Sequence, residues 1–122
     1  MKAKITIKIS TYNCQVTFMV TDKIKAESIK IYKDYNLKLE PAVDDGENEG
    51  IVISPDIDKY FLLVDLVYLT YNTIAHEIYH VVVRVTEDRG ITDEEAQAWL
   101  CGHITGEVYK FLEKKNLKVK NA

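Results

Sequence analysis

Only two cysteines occur in the 122 residues, Cys14 and Cys101, so no disulfide framework staples this fold. Cys101 falls in an apolar helical stretch and reads as a small core residue. No apolar run reaches the roughly 18 residues of a membrane span, and no basic, apolar, small-residue leader opens the chain. Membrane partners are therefore not expected, and the expected location is cytoplasmic. Charge of one sign is also scarce. Sixteen Lys and Arg stand against 19 Asp and Glu, a net charge of −3 with both signs mixed along the chain. Phosphate binding calls for a basic stripe, so nucleic acid is not an expected partner. Lys110, Lys114, Lys115, Lys118 and Lys120 gather near the C-terminus, where cations suit the last turn of a helix and a solvated tail. What is present is an ordinary globular composition, 47% hydrophobic and 29% charged. It predicts one domain over residues 1–122, a monomer or weak homodimer, with room for one core and little for elaborate specificity pockets.

Strand signals come first. Residues 2–9 alternate Lys or Thr with Ala or Ile, the pattern of a half-buried strand, and Gln15–Val20 follows as its hairpin partner. Thr21 or Asp22 caps a predicted helix over 23–35, and residues 40–50 form an acidic, Gly-containing loop. Gly50–Ser54 and Tyr60–Asp65 read as a second hairpin turning at Pro55-Asp56, with Leu66–Tyr71 as its continuation or a separate edge strand. Two helices close the chain. One runs from about 73 to 88, capped by Asn72 or Thr73 and ended by Gly90, and the other, capped by Thr92 or Asp93, runs to about 115. Strands followed by helices in series predict an α+β domain, a small antiparallel or mixed sheet packed on a helical hairpin.

The chemistry concentrates in His76-Glu77-Ile78-Tyr79-His80. On a helix, positions i and i+4 share a face, so His76 and His80 can present two imidazoles to one metal ion. Glu77 lies beside that face, placed to take a proton from a metal-activated water. HExxH on a helix is the signature of a zinc-dependent hydrolase, usually a peptidase. Ile74, Ile78, Val81 and Val85 supply the apolar stripe, leaving His76, Glu77, His80 and Arg84 outside it. The β-branched run Val81-Val82-Val83 favours a strand by propensity and works against the helix.

A catalytic zinc needs a third protein ligand. A histidine six positions after the second is excluded, because that position is Thr86. Three candidates follow in the last helix: Glu94, Glu95 and His103. At offsets +3, +4, +7 and +11 from Glu95 stand Ala98, Trp99, Gly102 and Gly106; from Glu94, Gln97, Ala98, Cys101 and Thr105. Small residues on such a face would let this helix approach the HExxH helix, slightly favouring Glu95. Thr92-x-x-Glu95 also reads as a capping box, which would occupy Glu95 otherwise.

HEIYH, a short loop and then EEAQAWLCGHITGEVYKFL resemble small zincin-like proteins of phages and mobile elements, over roughly residues 66–112. In those, a Glu-Ala-x-Ala-aromatic-Leu-x-Gly helix follows the HExxH helix, the arrangement of a minimal gluzincin. The resemblance implies Zn²⁺ held by His76, His80 and Glu95, with Glu77 as general base on a peptide or protein substrate. His103 departs from the pattern, which has an aromatic residue there. Tyr71, Tyr79 and Tyr109, with His103, are candidates for stabilising the oxyanion. The competing expectation is a catalytically inactive zincin-like module that binds a partner and keeps a structural or vestigial metal site.

Overall fold

Both hairpins form, and they meet through a parallel seam. The computed structural model describes residues 1–44 and 47–121. β1 (Lys2–Ile9) pairs antiparallel with β2 (Cys14–Thr21), and β3 (Gly50–Asp56) pairs antiparallel with β4 (Lys59–Asp65). β2 and β4 run parallel, so the sheet is mixed, in the order β1-β2-β4-β3. The helices are α1 (Ile24–Asp34), the single turn α2 (Pro41–Asp44), α3 (Tyr71–Asp88) and α4 (Glu94–Lys114). The fold class is α+β. Among the described residues, no helix is long and apolar enough to cross a membrane.

The strand patterns explain the layers. On the edge strand β1, Lys2, Lys4, Thr6 and Lys8 are exposed while Ile7 and Ile9 are buried, the alternation of a sheet with one covered face. β2 is central and buried on both sides. Its Val16, Phe18 and Val20 join the larger core beneath α3 and α4, and Met19 joins a smaller one beneath α1 with Ile24, Ile31, Ile53 and Leu63. Phe18 meets Phe111 of α4 edge to face at 6.0 Å. Burial at Val81 and Val82 holds their β-branched run in helix, since packing outweighs a propensity of a few tenths of a kcal/mol.

Helix ends differ from the sequence expectation in instructive ways. α3 begins at Tyr71 because Thr70, not Asn72 or Thr73, is the cap; its hydroxyl accepts the Thr73 N–H at 3.1 Å. α4 is capped by Asp93, one of its two expected caps, whose carboxylate accepts the Ala96 N–H at 3.2 Å; the alternative, the Thr92/Glu95 capping box, is not the cap. α1 starts after Lys23, with the Thr21 hydroxyl accepting the Lys23 N–H one step earlier. The three long helices end alike, with Asn36, Gly90 and Asn116 at positive φ. At Gly90 (φ 64°) the Gly90 and Ile91 amides close back onto Glu87 and Thr86, satisfying carbonyls at the end of α3.

Leu66–Tyr71 is not a strand. Leu66–Tyr68 forms a 3-10 turn under the Asp65 carboxylate, and Thr70 makes one isolated parallel bridge to Lys120 of the tail. Pro55-Asp56 still belongs to β3, past an irregularity between Ile53 and Asp56, so the chain reverses at Ile57-Asp58. That leaves the proline on the outer strand, where its missing N–H removes no ladder bond. Of the acidic loop expected over 40–50, Pro41–Asp44 is a helical turn and Asp45-Gly46 lie outside the described residues.

Candidate metal centre

α3 puts the two histidines together. His76 Nε2 and His80 Nε2 stand 3.1 Å apart, with the rings edge to face and centroids at 4.7 Å. Two imidazole nitrogens on a tetrahedral zinc, at bond lengths of about 2.0–2.1 Å, would stand about 3.3 Å apart. The observed pair is already close to that separation. Desolvation by burial, then the His76 and Arg84 charges, lower the His80 pKa, favouring the neutral imidazole that a metal requires. His76, with a side chain 63% exposed, leaves the site open on one side.

Glu77 is different. It is one of the few buried polar residues, 6% exposed, and its Oε2 lies 3.8 Å from His76 Nε2. The ligand atoms of His76, Glu77 and His80 all fall within 4.8 Å of one another, and no other such group of His, Cys, Asp or Glu occurs among the described residues. Burial raises the Glu77 pKa, against smaller lowering by His76 and Arg84. A carboxylate taken from water in this way is a stronger base than an exposed one.

The wall over Glu77 is Gly50, the first residue of β3. A Cβ there would come 2.6 Å from Glu77 Cγ and 3.0 Å from its Cδ, closer than carbon atoms pack. Glycine lets the strand backbone lie directly on the buried acid. β3 is also the sheet edge, so the edge strand beside the histidines is β3, not Leu66–Tyr71. The Asp65 N–H bonds to the Glu49 carbonyl, and Gly50 faces Val64 in the register. In an antiparallel ladder such bonding alternates. Gly50 and Val52 therefore turn their N–H and C=O groups outward, away from β4. The Val52 carbonyl accepts a bond from Arg84 Nη1 at 2.8 Å, and that nitrogen also reaches Ser54 Oγ at 3.1 Å. A cleft of about 240 Å³ lies between Glu47–Gly50 and the Asn72–Glu77 stretch of α3, and a larger one of about 560 Å³ continues along β3 past Arg84.

The α4 candidates do not join this group. Glu94 and Glu95 are exposed in the first turn of α4. His103 stacks on Trp99, its centroid 5.2 Å away, and its Nε2 lies 3.3 Å from the Lys8 carbonyl of β1, the far edge of the sheet. The small residues expected to let α4 approach do not face α3: Ala98 is exposed, and a Cβ on Gly102 or Gly106 would meet nothing within 4 Å. Cys101 is exposed as well, not core, and neither cysteine is bridged. Tyr71 stacks on Tyr109 at 6.0 Å, about 140° around α3 from His76 by helical geometry. Tyr79 is 66% exposed, its ring 6.4 Å from that of His80. Gly50 was missed from sequence, where it reads only as a strand boundary. Arg84 carried a legible signal, falling four residues after His80 and outside the apolar stripe.

No protein-family model, curated protein or solved structure matches the chain.

Proposed function

We propose that this protein is a zinc-dependent metallopeptidase with a zincin-like active site. The observation that carries the reading is the pair of imidazole nitrogens at near-ligand separation beside a buried carboxylate, all against the edge strand of the sheet. His76 and His80 would hold Zn²⁺, which supplies Lewis acidity toward a carbonyl and makes a water more acidic. Glu77 accepts the proton of the attacking water and hands it to the leaving amine. Its burial raises its basicity, and Gly50 fixes its position. The outward N–H and C=O groups of Gly50 and the outward N–H of Val52 offer an extended peptide a short ladder by strand addition. Tyr79, the tyrosine whose ring lies beside His80, is the oxyanion donor best placed of the three. Glu95 completes a gluzincin set only if the first turn of α4 closes on the histidines.

That α4 contributes nothing to the grouped ligands favours a second reading, a binding module with a two-histidine metal site and no turnover. One experiment separates them. Purified protein is supplied with zinc, metal content is measured, and cleavage of a casein-type substrate is followed with and without chelator. The peptidase reading expects about one zinc per chain, lost in His80→Ala, with chelator-sensitive cleavage abolished in Glu77→Gln. Zinc bound without cleavage favours the module; no zinc removes both.

A further inference from the structure

We propose that Arg84 sets the specificity of this cleft, its guanidinium receiving a carboxylate of the bound peptide. The inference rests on the peptidase reading for the identity of the ligand. His76, His80 and Arg84 stand at i, i+4 and i+8 on α3, one stripe along the helix beside β3. Arg84 lies four residues beyond His80, about 6 Å along the axis. An extended chain rises about 3.3 Å per residue, so a carboxylate there belongs to a residue one or two positions from the scissile bond.

The guanidinium is built to receive an anion. A single nitrogen, Nη1, makes both bonds to β3, at the Val52 carbonyl and the Ser54 hydroxyl. Nε and Nη2 carry further donors, and among the described residues neither has an acceptor. The two bonds to β3 hold the side chain in place, so binding costs less rotamer freedom, and the fork of Arg suits a carboxylate. No carboxylate among the described residues lies within ion-pair distance of Arg84. Asp88, four residues further along the helix, is engaged by the Tyr60 hydroxyl at 2.6 Å. The larger cavity along β3 carries charges of both signs on its lining, Arg84 and Lys38 against Glu40 and Asp88, with the polar groups of Tyr32, Asn48 and Ser54 among them. At the His76 end the cleft wall carries Glu47 and Glu49 and no Lys or Arg, so Arg84 and Lys38 are the cations that the two clefts offer an anion. Arg84 also ends the ladder, since the Val52 carbonyl it holds is closed to an incoming strand.

A strut between α3 and β3 would account for the two bonds to β3 but not for a charge preference, and peptide binding separates the two. Labelled peptides of one sequence would be offered to the Glu77→Gln protein, carrying Glu, Gln or Lys at one position, each with a free or amidated C-terminus; binding is read by fluorescence anisotropy, cleavage with wild type. The expected result is binding about 2- to 5-fold tighter with the carboxylate, the upper range of an exposed ion pair. That advantage disappears when Arg84→Gln is added and is not restored by Arg84→Lys. Loss on Glu→Gln replacement assigns the carboxylate to a side chain; loss on amidation assigns it to the chain terminus. Equal binding of all peptides, no binding of any, or equal weakening of all by Arg84→Gln overturns the proposal. Carboxylate- and Arg84-dependent binding with no cleavage by zinc-loaded wild type would keep this subsite and sink the peptidase reading. Cleavage indifferent to peptide charge does the reverse.

Discussion

The two flanks of α3 obey different rules. Toward α4 and the sheet the helix is apolar and closed: Ile74, Ile78, Val81, Val82 and Val85 are buried against Leu100, Ile104 and Val108. Toward the β3 edge it carries His76, Glu77, His80 and Arg84, with a glycine opposite the acid. Every buried group on the first flank stabilises the fold by leaving water. On the second, a carboxyl is largely buried with no hydrogen-bond donor among the described residues, and its ionised form is penalised. A fold has no need of that arrangement. The polar flank is where stability is given up, and a carboxylate largely withdrawn from water, yet open to the cleft beside two imidazoles, is what proton transfer from water requires.

The sharpest way to break this contrast is to remove the acid. Glu77→Gln should lower hydrolysis about 100- to 10,000-fold, the usual worth of a general base, with zinc content unchanged by mass spectrometry. Retained activity would sink the assignment of Glu77. The same variant should also be the more stable at neutral pH. In the metal-free protein the folded-state pKa of Glu77 lies above its unfolded value. The stability this group contributes is present below the unfolded pKa and is lost as pH rises through the folded one. Thermal melts in chelator from about pH 4 to about pH 8 should therefore show the variant gaining on wild type as pH rises; parallel curves would mean that Glu77 is not desolvated in solution.

The apolar flank should respond in the opposite sense. Ile104→Ala, at a fully buried position, should cost about 2–5 kcal/mol of stability and leave zinc affinity at permissive temperature unchanged. A large fall in affinity would mean the two flanks are coupled. Gly50→Ala is intermediate, because it puts a methyl group 2.6 Å from Glu77 Cγ. Overpacking of this kind costs about 1–3 kcal/mol, and here it should also displace the base and slow hydrolysis. In a Glu77→Ala background the same substitution should cost much less, since the colliding side chain is gone. An undiminished cost in that double variant would place the strain elsewhere.

Much of the polar flank was legible in the sequence because helical spacing is local. His76, Glu77, His80 and Arg84 follow from a period of 3.6 once the helix is granted. Both hairpins were legible through alternation, and Gly90 through its position after the last apolar residue. What failed was long-range. Nothing local says that β2 and β4 meet in parallel, which makes β3 the edge and brings Gly50 onto Glu77. Small residues in α4 suggested a close helix contact, yet Gly102 and Gly106 face open space, because a stripe of small side chains reads the same whether covered or bare. At α4 one of the two expected caps, Asp93, is the cap, while at α3 the cap slipped by two or three residues, since Thr70, Asn72 and Thr73 are all competent side chains.

Glu95 is where the two kinds of reading part, and it carries the smallest expected effect. The resemblance makes it the third ligand, whose removal should release zinc. The arrangement of the molecule puts it on an exposed first turn, outside the His76–Glu77–His80 group, with the cap supplied by Asp93. Glu95→Ala should then change stability by no more than about 0.5 kcal/mol, as for an ordinary surface site, and leave zinc content equal to wild type. Glu94→Ala serves as the matched control, one position along the same turn. Zinc lost from Glu95→Ala but kept in Glu94→Ala would show that α4 swings onto the ion when it binds. The apolar flank of α3 would then be the hinge of a metal-driven closure, not a fixed support.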